Sequence, residues 1–144
     1  MSDELAKGIY VSINPEATSK IVQGIKKYEF RNYIPKKSFK FLYVYVTAPQ
    51  SKLKYVMEIG DVVKYPEKLD KYGDGNLNFN IGKKSKYAYP IIKVYELAYP
   101  ISLEELKNKF DFVPPQAFTY SETFSELTEH VSKAEKKLLQ INKI

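Results

Sequence analysis

One hundred and forty-four residues is one domain's worth of chain, enough to bury roughly two thirds of its unfolded surface without disulfides or metals, so a single domain over 1–144 is expected. The 23 basic and 17 acidic side chains leave a net charge of +6, and the basic set is 22 Lys and one Arg, Arg31. No Cys and one His exclude a disulfide scaffold, a Cys-rich zinc site and a cysteine nucleophile, and neither a metal nor a cofactor is expected.

Met1 to Lys7 hold Asp3 and Glu4 and no apolar stretch. No signal peptide and no membrane-spanning segment are therefore expected, no membrane partner, and a cytoplasmic location. Thirteen Tyr and eight Phe argue against a disordered basic tail. The Lys excess has two readings, an AT-rich coding bias and an attraction to polyanions.

Gly8 to Ile13 alternates Ile9, Val11 and Ile13 with Tyr10 and Ser12, the period of a strand with one face in a core. Asn14-Pro15-Glu16 then opens a helix that Gly24 closes: a capping side chain, a proline at the first helical position and an acidic first turn. In Lys26 to Arg31 the alternation returns, setting Tyr28 and Phe30 against Lys27, Glu29 and Arg31. Phe39 to Thr47 is an aromatic and β-branched strand stopped by Ala48-Pro49.

Leu53 to Ile59 fits a short helix or a strand, and Gly60 interrupts strand character from Ile59 to Val63. Tyr65 to Tyr89 is rich in Pro, Asp, Gly, Asn and Lys; a loop of that length is expected to hold short elements of its own or to close over a site. Ala88 to Ala98 returns to strand, and Ser102-x-x-Glu105 is a capping box for a helix to about Lys109 with Leu103, Leu106 and Phe110 on one side. Phe124, Leu127, Val131, Ala134, Leu138 and Ile141 recur at three and four residues, predicting a helix from about Glu122 to Ile141 whose stripe packs on the core or docks a partner. His130 falls on the solvated side of that pattern.

No Walker loop, no G-x-G-x-x-G and no His-x-x-x-His pair is present, so nucleotide hydrolysis, dinucleotide redox chemistry and zinc hydrolysis lack their parts. What remains is Gly24-x-Lys26-x-x-Glu29-x-Arg31, preceded by Ser12-Ile13-Asn14-Pro15 and followed by Tyr43-Val44-Tyr45-Val46-Thr47-Ala48-Pro49. In that order these segments resemble the ASCH domain, a PUA-like family, over about forty residues.

The resemblance implies an α+β fold, a PUA-like β-barrel of mixed or mostly antiparallel strands with flanking helices, and a cleft into which Lys26, Glu29 and Arg31 project. Those residue types suit a nucleotide: Arg offers a planar fork, Lys a point charge, Glu an acceptor for an exocyclic amine. Thr47 could add a hydroxyl. The alternative is that Glu29 pairs with Lys27 or Arg31 across a solvated strand face, where an exposed pair is worth about 0–1 kcal/mol.

One ASCH-like branch cleaves the amide of acetylated cytidine nucleosides with a Lys, a Thr and a Glu. Lys26 matches its lysine, but Glu29 stands where that branch has its threonine, and its glutamate has no clear counterpart. A variant hydrolase would use Glu29 as general base and Lys26 to polarise a carbonyl.

Lys71, Tyr72, Lys83, Lys84, Lys86 and Tyr87 interleave cations with rings as single-stranded nucleic-acid sites do; the alternative is a solubilising turn. The leading expectation is a monomeric, non-enzymatic binding domain for RNA or a modified nucleotide. A hydrolase and a regulatory protein-interaction module that docks through its C-terminal helix are the alternatives.

Overall fold

The computed structural model describes residues 7–141. Eight strands form one curled mixed sheet in a half-barrel, in the order β2-β6-β4-β3-β1-β7, with β5 and β8 also paired to β6. The strands are β1 (Gly8–Ile13), β2 (Tyr28–Arg31), β3 (Phe41–Val46), β4 (Lys52–Ile59), β5 (Val63–Lys64), β6 (Tyr87–Ser102), β7 (Thr119–Tyr120) and β8 (Lys136–Leu138). Flanking them are α1 (Pro15–Val22), α2 (Asn76–Asn80), α3 (Leu103–Phe110) and α4 (Ser125–Lys133), the last preceded by a 3-10 turn at Ser121–Phe124. None of these helices is long and apolar enough to cross a membrane.

β1 and β3 are the parallel pair at the centre, in register from Gly8 on Phe41 to Ile13 on Val46. Sequence alternation predicts one buried face for β1, but both faces are covered. Ile9, Val11 and Ile13 pack with Ile21 of α1 on one side. Tyr10 packs on the other with Tyr43, Leu106 of α3, Phe112 and Leu127 and Val131 of α4. A strand buried on both faces loses its polar alternation, which is why β3 reads as a continuous aromatic and β-branched run.

β6, 16 residues long, is the spine: it pairs β2, β4, β5 and β8 along its length. Leu53 to Ile59 resolves as strand, and β4 ends at Ile59, where Gly60 turns the chain toward β5. Both predicted caps form: Asn14 Oδ1 accepts from the Ala17 N–H at 2.7 Å, and Ser102 Oγ from the Glu105 N–H at 3.2 Å. The stretch after Tyr65 holds the short helix α2.

The predicted C-terminal helix is corrected. It ends at Lys133, and the chain then pairs as β8 with β6, Leu138 opposite Tyr95 and Lys136 opposite Leu97. The Lys136 ammonium caps the helix, donating to the carbonyls of Val131 and Ala134 at 2.6 and 2.8 Å. Past that point the apolar period changes from helical to strand-like: Leu138 is exposed, while Leu139 and Ile141 pack inward. β4 already pairs one edge of this length of β6, and a helix continuing there would leave the other edge without a hydrogen-bonding neighbour. Leu127 and Val131 are each 1% exposed and Phe124 packs on the same core, so the helix stripe is core and not a docking face. His130 is exposed, its ring 5.5 Å from that of Phe110.

Gly8 has no room for a side chain: a Cβ there would lie 2.5 Å from Tyr43 Cε2 and 2.8 Å from the Phe41 carbonyl oxygen. The second neighbour is backbone in the central parallel pair. Gly8→Ala should cost about 1–3 kcal/mol as an overpacking change. Urea unfolding checks this: the midpoint falls while the slope stays unchanged.

Candidate functional site

Gly24 positions the site. It takes a left-handed φ of +82°, which closes α1: its N–H reaches the Ile21 carbonyl, and those of Ile25 and Lys26 both reach Lys20. The chain reverses there, so Lys26 points back beneath the helix and β2 begins two residues later.

At the end of β1, between the first turns of α1 and β2, lies a cleft of about 350 Å3. Ser12, Ile13 and Asn14 line it from β1 and the cap, Glu16, Ala17 and Lys20 from α1, and Lys26, Glu29 and Phe30 from the turn and β2. Asp74 and Lys84 reach it from the segment around α2. The lining carries three cations and three anions, which suits a polar ligand of mixed character better than a bare phosphate. Among the described residues no group of three His, Cys, Asp or Glu could hold a metal ion.

Lys26 and Glu29 are each only 8% exposed. The Lys26 ammonium donates to the Tyr28 carbonyl at 2.6 Å, stands 3.7 Å from Glu29 Oε1 and lies 4.4 Å above the centre of the Phe30 ring. Burial lowers its pKa below the ordinary lysine value; Glu29 opposes that shift and Lys84 adds to it.

Arg31 does not line the cleft. Its Nε and Nη2 both donate to Glu29 Oε2, at 3.1 and 2.8 Å, Nη2 also donates to the Ser12 carbonyl at 3.1 Å, and Nη1 to the Tyr33 hydroxyl at 3.2 Å. Four of the five guanidinium donors are thus spent inside the protein. Burial alone would lower its pKa, but Glu29 and Tyr33 together raise it, so it is a permanent cation behind the carboxylate. Its planar fork, read from the sequence as a ligand contact, grips Glu29 instead.

Glu29 and Arg31 do pair along one strand, as one of the sequence alternatives has it, and Lys26 from the turn stands against the same carboxylate. Thr47 stands outside the cleft at the end of β3, its N–H on the Ile13 carbonyl at 3.0 Å. Of the second group, Lys84 joins the cleft, 5.4 Å from the Phe30 ring centre. Lys71, Lys83 and Lys86 are exposed, Tyr72 is 67% exposed, and none of the four lines the cleft. Tyr87 lies in β6 opposite Arg31 and packs on the core. Sequence reasoning misses the cleft residues Lys20, Phe30 and Asp74 and the Arg31 partner Tyr33; the one signal for any of them is that Tyr33 lies two residues beyond Arg31, on the same alternation.

No protein-family model matches this sequence, and no curated protein matches it. Solved structures do. The ASCH protein of Zymomonas mobilis superposes with a TM-score of 0.66 at 23% identity, covering 95% of this chain and 99% of that one. A Ser-to-Ala variant of that protein gives 0.63 at 24%, over 90% and 98%, and a Tyr-to-Phe variant 0.63 at 23%, over 90% and 99%. The chain therefore has an ASCH-like, PUA-like α+β fold.

Removing one partner of a buried ion pair leaves the other charge uncompensated, at about 3–5 kcal/mol. Arg31→Met should destabilise by that order. Arg31→Lys should recover only part of the loss, because one ammonium cannot make the two converging bonds to Glu29 Oε2 and still reach the Ser12 carbonyl and the Tyr33 hydroxyl. A lysine variant as stable as wild type in urea would contradict this account.

Lys26 gives a pH signature. In the folded state it loses its proton at a lower pH than in the unfolded chain, where its pKa is about 10.4. Between the two values the unfolded chain binds more protons, so stability rises with pH. Wild type should therefore gain on Lys26→Met in urea titrations run from about pH 7 to about pH 10.

Proposed function

We propose that the protein is a small binding domain for RNA or a modified nucleotide, with the ligand in the cleft formed at Gly24-x-Lys26-x-x-Glu29-x-Arg31, acting as a cytoplasmic monomer. The observation that carries the reading is the pairing of Glu29 Oε1 and the Lys26 ammonium, 3.7 Å apart beside the Phe30 ring. Arg31 leaves Oε1 free to accept from a base amine, Lys26 can donate to a neighbouring ring nitrogen or carbonyl, and the ring offers an apolar surface for the base. The cleft volume falls at the lower end of the roughly 300–1,000 Å3 range of small-molecule sites, the scale of one nucleotide and not of a duplex. In an RNA the flanking phosphates would meet Lys84, Lys83, Lys86 and Lys71, with Tyr72 free to stack.

The test is a binding panel of single-stranded RNAs and modified nucleosides at low salt. Lys26→Ala and Glu29→Gln, the second less stable because Arg31 then loses its counter-charge, should each weaken the best binder at least tenfold under conditions where both are folded, whereas Lys83→Gln should reduce mainly the salt dependence. No binding stronger than about millimolar anywhere in the panel would defeat the reading.

One observation favours a second reading, a hydrolase of a modified nucleoside or RNA: the buried Lys26, its pKa lowered, stands beside a carboxylate. Acetylated nucleosides and RNA incubated with the protein would then yield products that vanish in both Lys26→Ala and Glu29→Gln.

A further inference from the structure

Tyr33 belongs to no part of the motif and does not touch the cleft, yet its hydroxyl sits at a junction. It receives Arg31 Nη1 at 3.2 Å and donates to the Ala117 carbonyl at 2.8 Å. A carbonyl can only accept, so the hydroxyl hydrogen is committed to Ala117 and the oxygen lone pairs face Arg31. The direction of this bond is therefore fixed by the backbone of a segment more than eighty residues away in sequence.

That segment is held from two further sides. Ser12 Oγ donates to the Pro115 carbonyl at 2.8 Å, and the Phe118 ring stacks on Tyr33 with centroids 5.3 Å apart. Ser12 is also the residue whose carbonyl takes the other Nη2 bond of Arg31. Both ends of the guanidinium not occupied by Glu29 are thus tied, through Tyr33 and Ser12, to residues 115–118.

We infer that the Tyr33 hydroxyl is a positioning residue for the cleft: it fixes the plane of Arg31, and Arg31 fixes which oxygen of Glu29 faces the ligand. Without the hydroxyl, Nη1 has no acceptor and only Glu29 Oε2 and the Ser12 carbonyl still hold the guanidinium, so its plane, and with it the presentation of Glu29 Oε1, is fixed less firmly. The inference deepens the proposed function and rests on it for its consequence in binding, but its structural step stands apart from any ligand.

Tyr33→Phe isolates the hydroxyl, since the ring and its stack on Phe118 remain. Because Arg31 is the chain's one arginine, its Nε–Hε pair gives a single resonance in a nitrogen-15 spectrum. In Tyr33→Phe that proton should exchange with water at least tenfold faster and the Glu29 carboxyl carbon signal should move, while the backbone amides of β1 and β3 keep their positions. Phe118→Leu, which disturbs the stack and spares the hydroxyl, should leave both signals in place, and it separates the two roles should Tyr33→Phe fold poorly. A single-stranded RNA octamer of mixed sequence is the binding probe, and Tyr33→Phe should weaken it at least fivefold. An unchanged Arg31 signal, or unchanged octamer affinity despite a changed signal, overturns the inference. If wild type itself does not bind the octamer, the binding reading fails on that probe, and the Arg31 and Glu29 signals still decide whether the hydroxyl positions the pair.

Discussion

The Glu29 carboxylate is the constraint around which this molecule is arranged. A carboxylate taken out of water is tolerated only if its charge is met and its lone pairs are filled, and at the end of a four-residue strand few groups are within reach. Arg31 is two residues along the same strand face and meets one oxygen with two donors. Burying that arginine then creates a second demand, and its remaining donors draw in the last turns of β1, the loop after β2 and the chain before β7. Three stretches distant in sequence, around Ser12, Glu29 to Tyr33 and Ala117, converge because one buried charge has to be neutralised.

This changes the meaning of the composition. Lysines can carry net charge anywhere on a surface, but a flexible ammonium cannot satisfy a carboxylate, a backbone carbonyl and a phenol at once in a plane. The one arginine stands where such a fork is required. The cations that line the cleft, by contrast, are lysines, so net charge and the planar grip on a carboxylate are carried by different residues.

Features with local chemistry were legible in the sequence. Asn14, Pro15 and Gly24 write the bounds of α1, Ser102 starts α3, and the run from Phe41 to Val46 can be little other than a central strand. Lys26 and Glu29 were legible as a pair by their place in the resemblance. Features decided by a distant neighbour were not. Leu138 keeps a helical spacing from Val131, and it is the open second edge of β6, whose first edge β4 takes, that draws the chain into extension after Lys133. Tyr10 occupies the polar slot of an alternating pattern, yet is fully buried because α3 and α4 cover the second face of the sheet. Arg31 was correctly placed beside Glu29 and wrongly aimed, since nothing local says that Ser12 and Tyr33 would claim its donors.

The mouth of the cleft has a different physical character from its floor. Lys20 of α1 reaches Asp74 at 3.7 Å and Glu16 at 3.5 Å, and all three side chains are more than a third exposed. Contacts of this kind contribute about 0–1 kcal/mol and weaken as salt rises. The floor is buried and multiply bonded, whereas the side-chain contacts across the rim are worth little more than thermal energy. The Asp74 N–H also donates to the Ile25 carbonyl at 2.9 Å, so the backbone of that turn is anchored and the compliance of the rim belongs to its side chains: Lys20 and Asp74 can part at little cost above a bonded template.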